Sequence, residues 1–231
     1  MPGNRRLAAL LSADAVGGSR LMAEDEAATV RLLAECRARI ADRVGQHGGR
    51  VVEASGDSIL AEFASAVDAV ACSLEIQREL AAMNAQWPEP RRMRFRIGVH
   101  LGDVVADGER LYGSGVNVAA RLESLAEPGG VCISGSVREQ LGGKLDVHLD
   151  DLGQQSINNI PEPVRVYRAR PGGEGVASHR PLARRGRRAV LVAAGVLIVF
   201  VAALALSWPR PLGWIVEAMG ANAPPVDPPL P

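Results

Sequence analysis

An apolar stretch of twenty residues without a charge, AVLVAAGVLIVFVAALALSW at 189–208, constrains the fold of this chain more than any other feature. At about 1.5 Å per residue, a helix of this length measures about 30 Å, which matches the hydrocarbon core of a bilayer. A helix that is apolar on every side is unusual in a soluble domain of ordinary size, because one face normally meets water. We therefore predict a transmembrane helix over 189–208.

The flanks of this stretch predict its orientation. Residues 171–188, PGGEGVASHRPLARRGRR, are rich in glycine and proline and then strongly basic, which is typical of a linker. Only Arg210 follows the span closely, so the positive charge lies mainly before it. The positive-inside rule then predicts a single-pass protein of the inner (plasma) membrane, with the N-terminal domain in the cytoplasm. The proline-rich tail over 209–231 would emerge on the other side, without a fold of its own.

Composition excludes several classes of partner. Lys+Arg and Asp+Glu are equal at 26 each, and aromatic residues make up 3% of the chain, so neither bulk electrostatics nor base stacking favours a nucleic acid. The three cysteines, Cys36, Cys72 and Cys132, are scattered through apolar stretches. Their number and spacing suit neither a disulfide framework nor a metal cluster, so we predict buried thiols in a reducing compartment.

Residues 1–170 carry the mixed, periodic pattern of a folded α+β domain. The patterns predict strands over 5–14, 50–54, 58–63, 93–105, 130–134, 145–151 and 163–169, and helices over 24–47, 65–84, 114–126 and 135–141. The first six of these elements follow the β-α-β-β-α-β order of a ferredoxin-like fold, with one face of the sheet covered by helices. In the helix over 24–47 we expect Val30, Leu33 and Ile40 to point inward.

Two aspartates and one helix face are the candidate chemical groups. Asp14 ends an apolar strand and Asp57 lies in a tight turn, where a carboxylate can hold a hard cation such as Mg²⁺ or can simply be solvated. Spacing alone does not show that they meet. Asn117 and Arg121 lie four residues apart on a helix and so share a face, which suits anionic oxygens. The alternative is a solvated face on which Arg121 pairs with a nearby acid.

Four segments, LSADAVGGSRLM, GGRVVEASGDSILAEF, FRIGVHLGDVVADGERLYGSGVNVAARLESLAEPGGVCISG and LDDLGQQSINNIPEPVRVYRA, resemble the class III nucleotidyl cyclase catalytic domain. The resemblance runs collinearly over about residues 5–170. It implies an enzyme that makes cyclic AMP, or less often cyclic GMP, from the nucleoside triphosphate and releases pyrophosphate. It also implies a dimer with its active sites at the interface.

The resemblance assigns roles to individual residues. Asp14 and Asp57 match the aspartates that hold two Mg²⁺ or Mn²⁺ ions, and Ala15 matches the position that lends a backbone carbonyl. Asn117 matches the residue that orients the ribose. Arg121 matches the residue that stabilises charge on the α-phosphate, and the family supplies both of these residues from the partner subunit. We therefore expect a homodimer, which a membrane anchor would favour by confining two copies to one plane.

Three departures from the family pattern concern the substrate shell. The adenine-selecting lysine of the family is Glu53 here, and its companion aspartate is Arg110, so both charges are reversed and could still meet as a salt bridge. Glutamate can accept hydrogen bonds from guanine, which leaves the choice between ATP and GTP open. Asn158 stands where relatives often have a lysine that grips the triphosphate. Apart from these three, Gly18 stands where an aromatic residue commonly packs beside the first metal aspartate.

These departures leave two other readings of the chain open. One is a catalytically silent cyclase-homology module that dimerises or senses nucleotide. The other is a heterodimer in which another cyclase chain supplies the missing purine contacts.

Overall fold

The computed structural model describes residues 4–108, 110–157, 160 and 162–172. The predicted membrane helix over 189–208, the tail over 209–231 and nearly all of the linker over 171–188 lie outside the described residues. Inside the described ranges, no helix combines the length and the apolar character that crossing a membrane requires.

The described chain is an α+β domain, as the sequence predicts. It is built on one mixed sheet. Its strands are β1 Asn4–Val16, β2 Arg50–Ser55, β3 Ser58–Phe63, β4 Arg94–Asp107, β5 Arg110–Tyr112, β6 Val131–Ser134, β7 Val147–Gln155 and β8 Val164–Pro171. Its helices are α1 Gly18–Glu24, α2 Glu26–Gln46, α3 Ala66–Asn84, α4 Ser114–Leu125 and α5 Gly135–Leu141, with a 3₁₀ turn at Glu89–Arg91. The strand order is β2-β3-β1-β4-β6-β8-β7, and β5 pairs with β4.

The first four long strands have the ferredoxin-like arrangement. β1 lies in the middle and runs antiparallel to β3 on one side and to β4 on the other. The β1–β4 ladder extends from the Asn4–Ala106 pair to the Val16–Arg94 pair, which makes these two strands the spine of the sheet.

Helices cover both faces of the sheet, so the expectation of a single covered face is wrong. Side chains alternate between the two faces of a strand. In β1, Ala9, Leu11 and Ala13 pack in the core with α2, α3 and α5. Ala8 and Leu10 belong to a second cluster on the opposite face, which includes Ala119 of α4. The apolar character of β1 at successive positions reflects this double burial.

The predicted helix over 24–47 is in fact two helices. Asp25 has an extended backbone (φ −157°) and caps α2, since its side chain accepts a hydrogen bond from the amide of Ala28. α1 lies before this break and was not predicted. The inward set also differs: Val30 is 49% exposed, Leu33 is half-buried, and Ile40 is buried as expected. The buried face of α2 also includes Thr29, Cys36 and Val44.

The three cysteines are buried and free, which confirms the predicted buried thiols. Burial is the main cause of a raised thiol pKa at each of them, to about 12 at Cys36 and to about 11 at Cys132. Thiolate is the reactive form of cysteine, so these side chains are inert near neutral pH.

Candidate active site

The β1–β3 ladder brings Asp14 and Asp57 to the same edge of the sheet. Asp14 pairs in register with Ser58, the residue that follows Asp57. The amide of Ala15 donates to the carbonyl of Asp57 at 3.3 Å, and the hydroxyl of Ser58 donates to Oδ1 of Asp14 at 2.6 Å. The two aspartates are 43 positions apart in the sequence. They are neighbours because the β2–β3 turn folds back beside the end of β1.

The turn that carries Asp57 is fixed from outside by α2. Gly56 has φ +57°, as expected for a glycine in this tight turn. Arg37 donates to the carbonyl of Ala54 at 2.8 Å and to that of Gly56 at 3.2 Å. Sequence reasoning missed Arg37, because nothing in the pattern of α2 distinguishes it from other solvated arginines.

Gly18 opens space beside the second aspartate. A Cβ atom at this position would lie 3.2 Å from Oδ2 of Asp57, which is closer than ordinary van der Waals contact. The absence of a side chain therefore leaves the carboxylate accessible from the side of α1.

Two further charged residues, Arg96 and Glu123, lie beside Asp14 and Asp57 and were not predicted. We call these four residues the carboxylate cluster. Arg96 is the cross-strand neighbour of Asp14 on β4, and its Nη2 is 3.4 Å from Oδ2 of that aspartate. Its Nε is 3.3 Å from Oε1 of Glu123. Glu123 lies on the inner face of α4 and is 7% exposed. The signal in the sequence was the polar residue at a core position, since Ala119 and Leu122 of the same helix are buried.

Burial raises the pKa of the Glu123 carboxyl to about 7, and the negative charge of Asp14 adds to the effect. The Arg96 guanidinium opposes the shift, whereas Asp57 reinforces it. These three carboxylates therefore share one electrostatic environment, and among the described residues the Arg96 guanidinium contacts two of them, Asp14 and Glu123.

Asn117 and Arg121 lie on the outer face of α4. Both are exposed, whereas Val118 and Leu122 of the same helix are buried. Within the described part of the chain, neither side chain makes a hydrogen bond to another side chain or an ion pair. The fold of a single chain therefore leaves both side chains exposed on the surface of α4.

The structure places Glu53 and Arg110 near each other. They lie on β2 and β5, and the pKa of the Arg110 guanidinium is raised chiefly by Tyr112 and also by the Glu53 carboxylate. No ion pair within 4.0 Å joins Glu53 and Arg110, so the reversed pair is in electrostatic range but not in contact. Asn158 lies outside the described residues.

The donor set at Asp14 and Asp57 fits a hard divalent cation. Carboxylate and carbonyl oxygens are the ligands that Mg²⁺ and Mn²⁺ prefer, and Mg²⁺ usually takes one or two carboxylates and completes its shell with water and phosphate. Among the described residues there is no group of three His, Cys, Asp or Glu side chains able to form a complete protein cage. The arrangement therefore suits a cation that shares its coordination with a bound phosphate.

A separate cavity of about 350 Å³ lies between α1, α2 and the segment after α3, where Leu21, Leu32 and Trp87 are among the lining residues. None of the predicted site residues lines it. We assign the candidate site to the carboxylate cluster, since the chemistry lies there.

The family described as adenylate and guanylate cyclase catalytic domain matches residues 6–168. The chain belongs to this family. It is 48% identical over 164 residues to a putative adenylate cyclase 3 of Rhizobium meliloti. The matched region covers 71% of this chain and 28% of the relative. It is 35% identical over 128 residues to an uncharacterized protein of Mycobacterium bovis, covering 54% of this chain and 42% of the relative.

Solved cyclase structures share the fold. An adenylate/guanylate cyclase/hydrolase from Silicibacter pomeroyi has a TM-score of 0.69 and 38% identity, covering 73% of this chain and 99% of that one. The adenylyl cyclase CyaB from P. aeruginosa has a TM-score of 0.67 at 21% identity, covering 75% of this chain and 98% of that one, and shows the fold alone. The cyclase domain thus accounts for nearly all of the described residues.

Proposed function

We propose that this chain is a nucleotidyl cyclase that converts a nucleoside triphosphate into the 3′,5′-cyclic nucleotide and pyrophosphate, as a homodimer. The observation that carries the proposal is the division of the site within one subunit. Asp14 and Asp57 meet at the end of β1, while Asn117 and Arg121 face outward on α4. Two copies can join these halves in a symmetric pair, because a two-fold interface presents the same surface from both subunits. The relative named as an adenylate cyclase favours ATP as the substrate.

Each residue has a defined task in the proposed reaction. Asp14, Asp57 and the carbonyl of Ala15 would hold two Mg²⁺ or Mn²⁺ ions. Such ions lower the pKa of a bound hydroxyl and neutralise phosphate charge. The ribose 3′-oxygen attacks the α-phosphorus, the bond between that phosphorus and the pyrophosphate oxygen breaks, and the 3′-hydroxyl proton passes to solvent water. Asn117 orients the ribose, and the planar fork of Arg121 stabilises the charge that builds on the α-phosphate.

Glu53 and Arg110 would lie at the purine. The carboxylate of Glu53 can accept hydrogen bonds from guanine, and Arg110 can donate to a purine oxygen or nitrogen. Their separation within one subunit leaves both groups available to a base. Base preference is therefore a property of these two side chains that a direct comparison of ATP and GTP reads out.

The test is a cyclase assay on the full chain with Mn²⁺ and either ATP or GTP. We expect a cyclic nucleotide from the wild type and a loss of about a hundredfold or more for Asp57→Asn, because metal stabilisation contributes several kcal/mol. Asp42→Asn is the matched control, since Asp42 is an exposed residue of α2 whose side chain, among the described residues, accepts a hydrogen bond from Gln46 alone. Nucleotide binding without product would instead support the silent module.

We also propose that residues 189–208 anchor the catalytic domain to the inner (plasma) membrane, with the domain on the cytoplasmic side. The support is the uncharged length of this stretch and the excess of arginine before it. The full chain should stay with membranes in alkaline carbonate, whereas a chain that lacks 189–208 should be released. Release of both would contradict the anchor.

A further inference from the structure

Arg96 has two carboxylate neighbours and is fully bound to neither of them. Its Nη2 lies 3.4 Å from Oδ2 of Asp14, at the long end of the hydrogen-bond range. Its Nε lies 3.3 Å from Oε1 of Glu123 without the alignment of a hydrogen bond. The Nε atom of Arg96 and the Oε1 atom of Glu123 are both buried, and neither has a hydrogen-bond partner within the described residues. A small rotation of the guanidinium would complete the second contact at the expense of the first.

The surrounding charges give this rotation a direction. In the described structure, Arg96 is the cation in contact with both Asp14 and Glu123. A divalent cation at Asp14 would repel the guanidinium, since like charges at this distance oppose each other strongly away from bulk water. Arg96 is only partly exposed, with 30% of its side chain accessible, so a guanidinium without a new partner would be costly.

Glu123 is placed to receive the displaced arginine. It sits on the inner face of α4, where Ala119 and Leu122 of the same helix are also buried. Its carboxylate is therefore held over β4 by the packing of the whole helix. An acceptor that is already in place loses little conformational entropy when the contact forms.

We propose that Arg96 moves from Asp14 to Glu123 when a divalent cation binds at Asp14, and that Glu123 is the positioning residue that makes this exchange favourable. The inference rests on the proposed function, because it takes Asp14 and Asp57 as the cation ligands. Glu123 touches neither cation nor nucleotide in this scheme. It sets the affinity for the divalent cation by offering the Arg96 guanidinium a second partner.

The test is direct titration of the full chain with Mn²⁺ in the absence of nucleotide, following free Mn²⁺ by electron paramagnetic resonance. We expect Glu123→Gln to weaken Mn²⁺ binding about tenfold, because a hydrogen bond between charged groups is lost on the bound side. Glu127→Gln is the matched control and should bind as the wild type does. Glu127 is exposed, lies just past the end of α4, and contacts Arg168 instead.

Arg96→Gln supplies an independent readout, including the case in which Glu123→Gln fails to fold. Removal of the competing guanidinium should strengthen Mn²⁺ binding about threefold, and weaker binding would overturn the exchange. With Gln at position 96, adding Glu123→Gln should change the affinity less than twofold. The same tenfold loss in both backgrounds would mean that Glu123 acts through its own negative charge, and would also overturn the exchange.

Asp57→Asn separates this inference from the proposed function. Suppose that the wild type binds Mn²⁺, that Asp57→Asn does not bind it, and that Glu123→Gln binds it with unchanged affinity. In that case only the exchange is overturned. If the wild type binds no Mn²⁺, or Asp57→Asn binds it unchanged, the proposed metal site and the exchange fall together.

Discussion

Arg37 shows how a single half-buried side chain can support a site that it does not enter. It reaches from α2 to two carbonyls of the turn before Asp57. A turn whose carbonyls are held by a charged donor samples fewer conformations, so the direction of the Asp57 carboxylate is defined before any ligand arrives.

We expect Arg37→Gln to lower the free energy of unfolding by about 1–2 kcal/mol, since two hydrogen bonds from a charged donor are lost near the surface. The amides of the β2–β3 turn should also exchange with solvent faster. Arg31→Gln is the control, because Arg31 is an exposed residue of the same helix without a hydrogen bond or ion pair among the described residues. Equal exchange rates in the two variants would contradict the role of Arg37.

His100 occupies a second polar network in the core, away from the carboxylates. The hydroxyl of Ser136 donates to the carbonyl of Leu101 at 3.0 Å, so Ser134 donates to Ser136 at 2.9 Å and is left to accept from Nδ1 of His100 at 2.9 Å. This direction of donation assigns the proton to Nδ1. Burial lowers the pKa of the imidazole to about 4.

The lowered pKa predicts that His100 destabilises the fold as pH falls. The unfolded chain takes up a proton near the ordinary pKa of 6.5, while the folded chain resists it until about 4. Between these values stability rises with pH, by about 3 kcal/mol at most and by about 2 kcal/mol between pH 5 and 7. Glu123 has the opposite sign, because its raised pKa makes the folded chain bind more protons between 4.5 and about 7.

Comparison of wild type with His100→Asn isolates the histidine. Urea unfolding at pH 7 and pH 5 should show a smaller loss of stability, or a larger gain, on acidification in the variant. Identical differences between the two pH values would show that His100 does not titrate in this range.

At the scale of elements, the contact between β4 and α4 sets the position of the helix that carries Asn117 and Arg121. Gly98 of β4 lies directly beneath α4. A Cβ atom there would overlap the backbone of Ala119 and Glu123, which cannot rotate away as a side chain could.

Gly98→Ala should therefore destabilise the domain by about 1–3 kcal/mol and displace α4. Activity should fall more than stability alone explains, because Asn117 and Arg121 move with the helix. The control is Gly45→Ala on α2, where an added Cβ meets nothing within 4 Å and should stabilise the helix by about 1 kcal/mol. A Gly98→Ala protein with wild-type melting temperature and turnover would contradict this account.

Which elements the sequence predicts follows from what each pattern records. Helix periodicity and turn glycines place α3, α4, α5 and the β2–β3 hairpin within about two residues of their observed bounds, because local packing decides them. α1 and β5 are missed, since a seven-residue helix after two glycines and a three-residue strand carry too few residues for a period to emerge.

The residues of the site also fall into a group that the sequence predicts and a group that it does not. Asp14, Asp57, Asn117 and Arg121 can be picked out because motifs record them, and the structure adds that Asp14 and Asp57 are neighbours. Arg96 and Glu123 depend on the cross-strand register of β1 with β4 and on the face of the sheet that α4 covers. Both are tertiary facts, which a one-dimensional pattern does not contain.

At the scale of the whole molecule, the split between Asp57 and Arg121 predicts complementation between two inactive chains. In a mixed dimer of Asp57→Asn and Arg121→Ala, one site carries both changes and the other carries neither. Each variant alone should be nearly inactive, and the mixed dimer, purified through two different tags, should regain about half of the wild-type activity per dimer. A mixed dimer as inactive as its parents would contradict sites shared between subunits.

The central position of β1 also matters while the chain is being made. Both neighbours of this apolar strand come later in the chain, and the further one, β4, begins only at Arg94, about 80 residues after β1 ends. At a translation speed of about 5–20 residues per second, the ribosome needs about 4–16 seconds to supply it. During that interval the nascent chain presents an unpaired hydrophobic edge on β1, which is a surface that a ribosome-associated chaperone can bind.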